Sequence, residues 1–167
     1  MARLLVPMSI LSLLSMGAIF GFFYAWVCST MWGLDAADPR VAIPAMQAMN
    51  ASVRNPVFFP AFFLTPVILA LTAAIAARQN RGRAAVLFLA GAVIYVAGAL
   101  LVTAMVNVPM NEALAQVTVP ADSAAAADIW QVYSTPWQFW NTLRTLVSGF
   151  ALLLTGLAIF ALTPETD

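Results

Sequence analysis

Apolar residues run along the chain in four long stretches, separated by segments that hold most of the polar residues. The stretches cover about Leu4 to Leu34, Pro56 to Ala77, Ala84 to Val106 and Trp137 to Thr163. A membrane-spanning helix needs roughly 20 mostly apolar residues, which each stretch supplies. The pattern predicts an all-α, membrane-embedded four-helix bundle that occupies residues 1–167 as a single domain. The first stretch exceeds a simple span, so we expect it to tilt or to project beyond the bilayer.

The segment between the first two stretches has a pattern of its own. Apolar and amide residues recur there at helical spacing, which predicts a short amphipathic helix over residues 41–51. The residues at this spacing are Ile43, Met46, Gln47 and Asn50.

The segment before the last stretch predicts a second short helix. Asp122 is a typical N-cap residue, and a helix over residues 124–133 would follow it. Pro136 lacks a backbone N–H and suits the first turn of a helix, so we expect the helix to break there and the fourth span to start. Both outer loops are therefore predicted to carry short extracytoplasmic helices.

Two glycines four residues apart give a packing signal inside the first stretch. Gly17 and Gly21 form a G-x-x-x-G motif, and such small residues let helix backbones approach closely in lipid. We expect this face to pack within the bundle, with a seam between two copies of the chain as the alternative.

The composition excludes several classes of protein. Hydrophobic residues make up 63% of the chain and charged residues only 8%, whereas a soluble domain carries about 25% charged residues. Seven basic and seven acidic residues balance, so no electrostatic footprint for nucleic acid is present. The absence of His and the single Cys exclude histidine-dependent metal or triad chemistry and an intrachain disulfide.

The arginines predict an orientation. Arg78, Arg81 and Arg83 lie in the short connection between the second and third stretches, and Arg3 precedes the first. By the positive-inside rule these ends face the cytoplasm, so both termini are predicted inside and the two longer loops outside. The absence of Lys is compatible with a bacterial gene, and we expect an inner-membrane location.

The fourth stretch carries the clearest candidate site. Trp137, Asn141, Arg144 and Ser148 recur at intervals that place them on one face of a helix. Arg144 is the single charge within the apolar part of any stretch, and an arginine inside a membrane usually faces an interior or a watery cavity. Snorkelling to the headgroups is the alternative. Trp130 and Tyr133 precede these four residues in the sequence, and we expect them to lie above the same face of the helix.

The end of the third stretch supplies further candidates. Asn107 and Asn111 bracket Pro109 at the expected helix exit, where asparagine is common as a cap. The alternative is that both amides point into an outer pocket shared with Arg144. Glu112 and Asp128 are the acids near that pocket, and each is a candidate proton acceptor or a solvated loop charge.

Other candidate residues come from the first stretch and the first loop. Trp26 belongs to an aromatic cluster that either forms an interfacial belt or lines an apolar pocket, and Gln47 and Asn50 add amides from the loop. Methionines and Cys28 near the same side are soft ligands, but no tight M-x-x-M cluster accompanies them. We therefore expect no metal site.

Taken in order, these motifs resemble the DUF1772, or anthrone oxygenase-like, family of integral membrane proteins over nearly the whole chain. The residues that carry the resemblance are Ala45-Met46-Gln47-Ala48-Met49-Asn50, Val102-Thr103, Asn107-Val108-Pro109-Met110-Asn111 and Trp130-x-x-Tyr133-x-x-x-Trp137-x-x-x-Asn141-x-x-Arg144.

The resemblance implies a chemistry. Fungal members of the family are associated with oxidation of an anthrone to an anthraquinone, and many bacterial members have no assigned activity. A deprotonated anthrone reacts with O₂ directly, so such a reaction needs a flat apolar pocket, a proton acceptor and a donor to the anionic oxygen, with no cofactor. Arg144, Asn141 and Glu112 are then the candidate catalytic residues. The candidate ligand-binding residues are Asn107, Asn111, Trp130, Tyr133, Trp137, Trp26, Gln47 and Asn50.

The sequence leaves the function class open. A cofactor-independent oxygenase and a non-enzymatic binding or assembly module both fit an outer pocket for a hydrophobic aromatic or lipid-like molecule. A transporter is disfavoured, since paired intramembrane charges and an inverted repeat are lacking. Membrane lipid and a hydrophobic small molecule are the expected partners, nucleic acid is not, and a homo-oligomer is left open.

Overall fold

The computed structural model describes the backbone of residues 2–162 and the side chains of residues 4–162. Thr163, the expected end of the last stretch, and the side chain of Arg3 lie outside the described residues. The described part of the chain is helical and contains no strand. The all-α prediction is confirmed.

Four helices are long and apolar enough to cross a membrane, as the sequence predicts. We call them the first (Leu4–Ala36), second (Phe58–Arg78), third (Gly82–Ala115) and fourth (Ser123–Phe160) long helices. Large apolar side chains such as Leu14, Val86 and Phe139 are exposed on the outside of the bundle, where a membrane protein meets lipid.

The buried side chains form two clusters, a larger one along the bundle and a smaller one at the end that carries the first loop. The larger cluster packs Met16, Phe23, Phe88 and Tyr95 among the four long helices. The smaller one joins the first loop to the ends of the long helices, through residues that include Ile43, Met46, Trp130 and Trp137. The loop is therefore packed against the bundle and is part of its core.

Glycine allows one close helix contact, although not at the motif that the sequence singled out. A Cβ atom at Gly98 would overlap the side chain of Val147, so the third and fourth long helices meet there only because Gly98 has none. A Cβ atom at Gly17 or Gly21 would meet nothing within 4 Å. The expectation that this pair packs closely within the bundle is therefore wrong.

The first outer loop contains the predicted short helix, at Pro39–Ser52. Asp38 caps it by accepting a hydrogen bond from the backbone N–H of Arg40 at 2.9 Å. The Arg40 guanidinium also donates to this carboxyl and lowers the pKa of Asp38 to about 2. Ile43 and Met46 are fully buried, as the amphipathic pattern predicts. We call Pro39–Ser52 the loop helix.

The second outer loop differs from the prediction. The expected helix over 124–133 is not separate, because one helix runs from Ser123 to Phe160 through Pro136. The Asp122 cap is confirmed by its hydrogen bond from the N–H of Ala125 at 2.9 Å. Trp130, Ser134 and Gln138 all donate to the Asp35 carboxylate. These bonds hold the turns on both sides of the proline in line, which offsets the backbone hydrogen bond that Pro136 removes.

The third long helix also continues where a helix exit was expected. It passes through two π-helical segments, Val96–Leu100 and Thr103–Asn107, and ends at Ala115. Pro109 falls in the first turn of the α-helical part that follows, where a missing N–H costs least. Asn107 and Asn111 therefore lie within a continuous helix, and the cap-and-turn interpretation is wrong.

Candidate functional site

A cavity of about 310 Å³ lies between the long helices at the end of the bundle that carries the loop helix. Most of its wall is aromatic, and its polar groups are few. The aromatic lining residues are Phe22, Phe23, Trp26, Phe58, Phe59, Phe62, Phe63 and Trp137, and the polar or charged ones are Asn50, Arg54, Thr103, Asn111, Glu112 and Arg144.

Arg144 is the buried cation of this cavity. It is 5% exposed, and its guanidinium donates from Nη1 to Thr103 Oγ1 and from Nη2 to Asn141 Oδ1, both at 3.0 Å. No carboxylate of residues 4–162 forms an ion pair with it. The snorkelling alternative is therefore wrong, because the side chain points into the bundle.

Aromatic rings flank the guanidinium. Its Cζ atom lies 4.6 Å from the ring centroid of Phe23 and 5.4 Å from that of Trp137. The negative face of an aromatic ring attracts a cation, and the attraction grows where water is excluded. These rings stabilise the charge partly and leave it without a full counter-ion.

Four candidate residues form a connected hydrogen-bond network at the cavity: Asn50, Asn111 and Trp137 line it, and Tyr133, which does not, joins them. Asn50 donates to the hydroxyl of Tyr133 at 3.2 Å, and that hydroxyl donates to Asn111 Oδ1 at 2.8 Å. Trp137 Nε1 donates to the same oxygen at 2.9 Å. The network joins the loop helix to the third and fourth long helices, so it fixes the shape of this wall.

Glu112 lines the cavity near solvent. Its carboxylate pairs with Arg54, and each of the two side chains is 51% exposed. The pair joins the segment before the second long helix to the third long helix. Asp128, the other acid that the sequence suggested, lines a separate surface groove beside Val132.

Two buried asparagines stand behind the cavity wall. Asn141 accepts from Arg144 and donates from Nδ2 to the backbone oxygen of Phe23 at 3.1 Å, so it orients the guanidinium. Asn107 is 1% exposed, and neither of its amide atoms has a hydrogen-bond partner among the described residues. Neither residue is among those that line the cavity.

The chain matches the family model described as anthrone oxygenase over residues 49–154, which is more than half of its length. It belongs to the anthrone oxygenase family. The matched segment includes every cavity residue from Met49 to Arg144, whereas the first long helix lies outside it. No curated protein and no solved structure matches the chain.

In this anthrone oxygenase family member, Trp130 and Gln47 also lie away from the cavity. Trp130 donates from Nε1 to Asp35 at 2.9 Å and does not line the cavity. Gln47 donates to the backbone oxygens of Leu114 and Val117 at 2.8 and 3.0 Å, which anchors the loop helix. Both residues therefore hold elements together.

Sequence reasoning missed part of the aromatic wall. The missed residues include Phe58 and Phe62, which stack with ring centroids 5.2 Å apart, and Phe58 also lies 4.7 Å from Phe22 of the predicted aromatic cluster. The sequence spacing does indicate this pair, because Phe58 and Phe62 are four residues apart and so share one face of a helix. Thr103, which binds Arg144, was noted only within the family motif.

Two of the π-helical segments border the site. The segment Trp26–Thr30 supplies Trp26, and the segment Thr103–Asn107 supplies Thr103. A π-helical turn inserts one extra residue and so changes which side chains face inward, and such turns are frequent at functional sites. Nothing in the hydropathy pattern indicates them.

Proposed function

We propose that the cavity binds a flat, weakly acidic aromatic molecule of the anthrone class and promotes its oxidation by O₂ to the quinone. The observation that carries the proposal is Arg144, a buried cation on an aromatic wall with no carboxylate partner among residues 4–162. Burying an unpaired positive charge costs free energy unless an anion neutralises it. An aromatic oxyanion in the cavity would do so.

The size and lining of the cavity support this class of ligand. Its volume of about 310 Å³ is at the small end of ligand pockets, which suits a fused ring system. Phe22, Phe58 and Trp137 offer ring faces and edges for stacking. Asn141 and Thr103 act as positioning residues, since both accept hydrogen bonds from Arg144.

The proposed reaction needs a proton acceptor and an anion-stabilising group. The ring CH₂ of the anthrone loses a proton to the Glu112 carboxylate, directly or through water, and the negative charge moves to the carbonyl oxygen beside Arg144. The ring carbon then bonds to O₂, and protonation gives a hydroperoxide. Loss of water leaves the second carbonyl. The carbon gives up four electrons, and the two oxygen atoms end in the quinone and in water.

A second candidate function is binding without turnover. Glu112 favours it, because this one carboxylate among the described cavity residues is engaged by Arg54 and half exposed. A base held in an ion pair is a weak proton acceptor until the pair opens. A binder would retain the aromatic and leave its oxidation rate unchanged.

The proposal predicts a large effect of Arg144→Gln and none of Arg78→Gln. The control replaces an exposed arginine at the opposite end of the second long helix. Loss of one group that stabilises an oxyanion typically lowers kcat by about 10²- to 10³-fold. We expect that fall in the rate of quinone formation from anthrone by the detergent-purified protein, followed by absorbance and oxygen uptake.

Binding measured beside turnover separates the two functions. Arg144→Lys keeps the charge and should retain more activity than Arg144→Gln, and circular dichroism checks that each variant is folded. Equal rates for wild type and Arg144→Gln would contradict the proposed role of the cation. If the wild type retains anthrone but oxidises it no faster than empty micelles do, the protein binds the aromatic without turning it over.

A further inference from the structure

The cavity reaches the surface on two sides that differ in polarity. Towards the loop helix it is bordered by Met49, Asn50 and Val53 and by the charged Arg54–Glu112 ion pair, whose side chains are half exposed. On the side of the second and third long helices its lining residues include Phe59, Phe63 and Val108, whose exposed fractions are 41%, 50% and 37%. Residues that line a cavity and also reach the surface mark an opening, so the cavity meets the outside of the bundle between these helices.

A second cavity leads towards this opening along the same two helices. It is a surface groove of about 630 Å³, and all of its lining residues are apolar. Its lining begins at Pro66, three residues after Phe63, and ends at Leu101, two residues before Thr103. The groove and the opening are therefore about one turn apart on the second long helix, whereas on the third Val108 lies about two turns beyond Leu101.

Both features lie on helices that are apolar enough to cross a membrane. The second long helix has a mean hydropathy of 2.1 and the third of 2.6 over their most apolar windows. The groove between them faces outward through exposed residues such as Val67, Leu71 and Leu89. In a bilayer such a surface meets acyl chains, where an apolar aromatic molecule concentrates.

We propose that the aromatic ligand enters the cavity sideways from the lipid phase, through the opening beside Phe63 and Val108, which we call the lateral mouth. This inference rests on the proposed function, because it takes the flat aromatic as the ligand. On the loop-helix side the charged Arg54–Glu112 pair borders the cavity, whereas the side chains of the lateral mouth are apolar. An apolar ligand then passes from the acyl chains to an aromatic wall without crossing water, and its acidic group meets Arg144 at the end of the path.

Exchange kinetics test the lateral mouth. The probe is 2-hydroxyanthracene, a fluorescent flat aromatic, added without oxygen to the protein in phosphatidylcholine vesicles. Energy transfer from the tryptophans reports association, and displacement by excess anthrone reports dissociation. The variants Val108→Phe and Val108→Tyr narrow the mouth without adding a tryptophan. Val86→Phe is the matched control, since Val86 is an exposed valine of the same third helix and lines neither the cavity nor the groove.

A narrowed path slows entry and exit together. We expect both mouth variants to lower the association and dissociation rates by about tenfold, within the one to three decades over which on-rates vary among variants of one site. The Kd should stay within about twofold of the wild type, because the two rates change together. The control variant should match the wild type in both rates.

Other outcomes overturn the inference in distinguishable ways. One such outcome is that both mouth variants exchange the probe at wild-type rates while Val53→Phe, on the loop-helix side, exchanges it slowly. The ligand would then enter from water, and the proposed function would still hold. Wild-type rates in all of these variants would also overturn the lateral mouth. Failure of the wild type to bind the probe would overturn the mouth and the aromatic cavity together.

Discussion

At the scale of single residues, the environment of Arg144 shows how a membrane protein keeps a charge inside. An arginine at the centre of a membrane helix costs roughly 2.5–3.5 kcal/mol on insertion scales. Thr103 and Asn141 accept two of its hydrogen bonds, and the rings of Phe23 and Trp137 flank it. Its Nε atom is buried without a partner among the described residues, so the cation is held in place but not fully satisfied.

Asn141→Leu should destabilise the protein by about 1–3 kcal/mol, because a buried charged donor loses its acceptor. That exceeds the average of about 0.6 kcal/mol measured for hydrogen bonds between membrane helices. Thr155→Val is the matched control, since the Thr155 hydroxyl bonds only to the Ala151 carbonyl of its own helix. Unfolding in mixed micelles measures both variants, and an Asn141→Leu loss no larger than the control's would contradict the role of Asn141.

At the scale of elements, the four long helices were predictable because lipid exposure demands long apolar runs. That the third and fourth long helices are continuous was not predictable. Proline rules predicted breaks near Pro109 and Pro136, but tertiary hydrogen bonds to Asp35 and a π-helical turn carry both helices through. The proline rules hold for an isolated segment of chain. At Pro109 and Pro136 they failed because contacts with distant residues keep the helix continuous.

The candidate site was predictable along one helix and not between helices. Trp137, Asn141 and Arg144 share a face of the fourth long helix, as their spacing indicates, and the structure brings Asn50, Asn111 and Tyr133 to them. The remaining wall depends on how the second long helix is rotated towards the first. Hydropathy says little about that rotation, since both the lipid-facing and the inward faces of the second helix are apolar.

The attachment of the loop helix to the bundle can be tested. Gln47→Met keeps the length of the side chain and removes both hydrogen bonds to the end of the third long helix. We expect faster amide hydrogen exchange across Pro39–Ser52, because fewer bonds then hold the helix down. Ser52→Ala is the control, as its hydroxyl bonds to Met49 within the loop helix. Equal exchange in the two variants would argue against Gln47 as the anchor.

At the scale of the whole molecule, the arginines remain the guide to orientation. Arg78, Arg81 and Arg83 lie at the end of the bundle opposite the cavity, which we propose to be cytoplasmic, with the cavity towards the outer side. In a Cys28→Ala background, Gly82→Cys and Ala121→Cys place single thiols at exposed positions on the two sides.

A membrane-impermeant maleimide added to intact bacterial cells should label Ala121→Cys and spare Gly82→Cys. Both should react after lysis, which shows that each thiol is accessible. The reverse pattern in intact cells would overturn the orientation and turn the cavity towards the cytoplasm.

The partners of Arg144 also bear on the order of events during synthesis. A ribosome delivers the chain from its N-terminus, so Phe23 and Thr103 leave the exit tunnel before Arg144 does. The fourth long helix, which carries this charge, is thus released after the first and third helices, whose residues compensate the charge. We therefore expect membrane insertion of the fourth long helix to depend on contacts that its guanidinium group makes with the first and third.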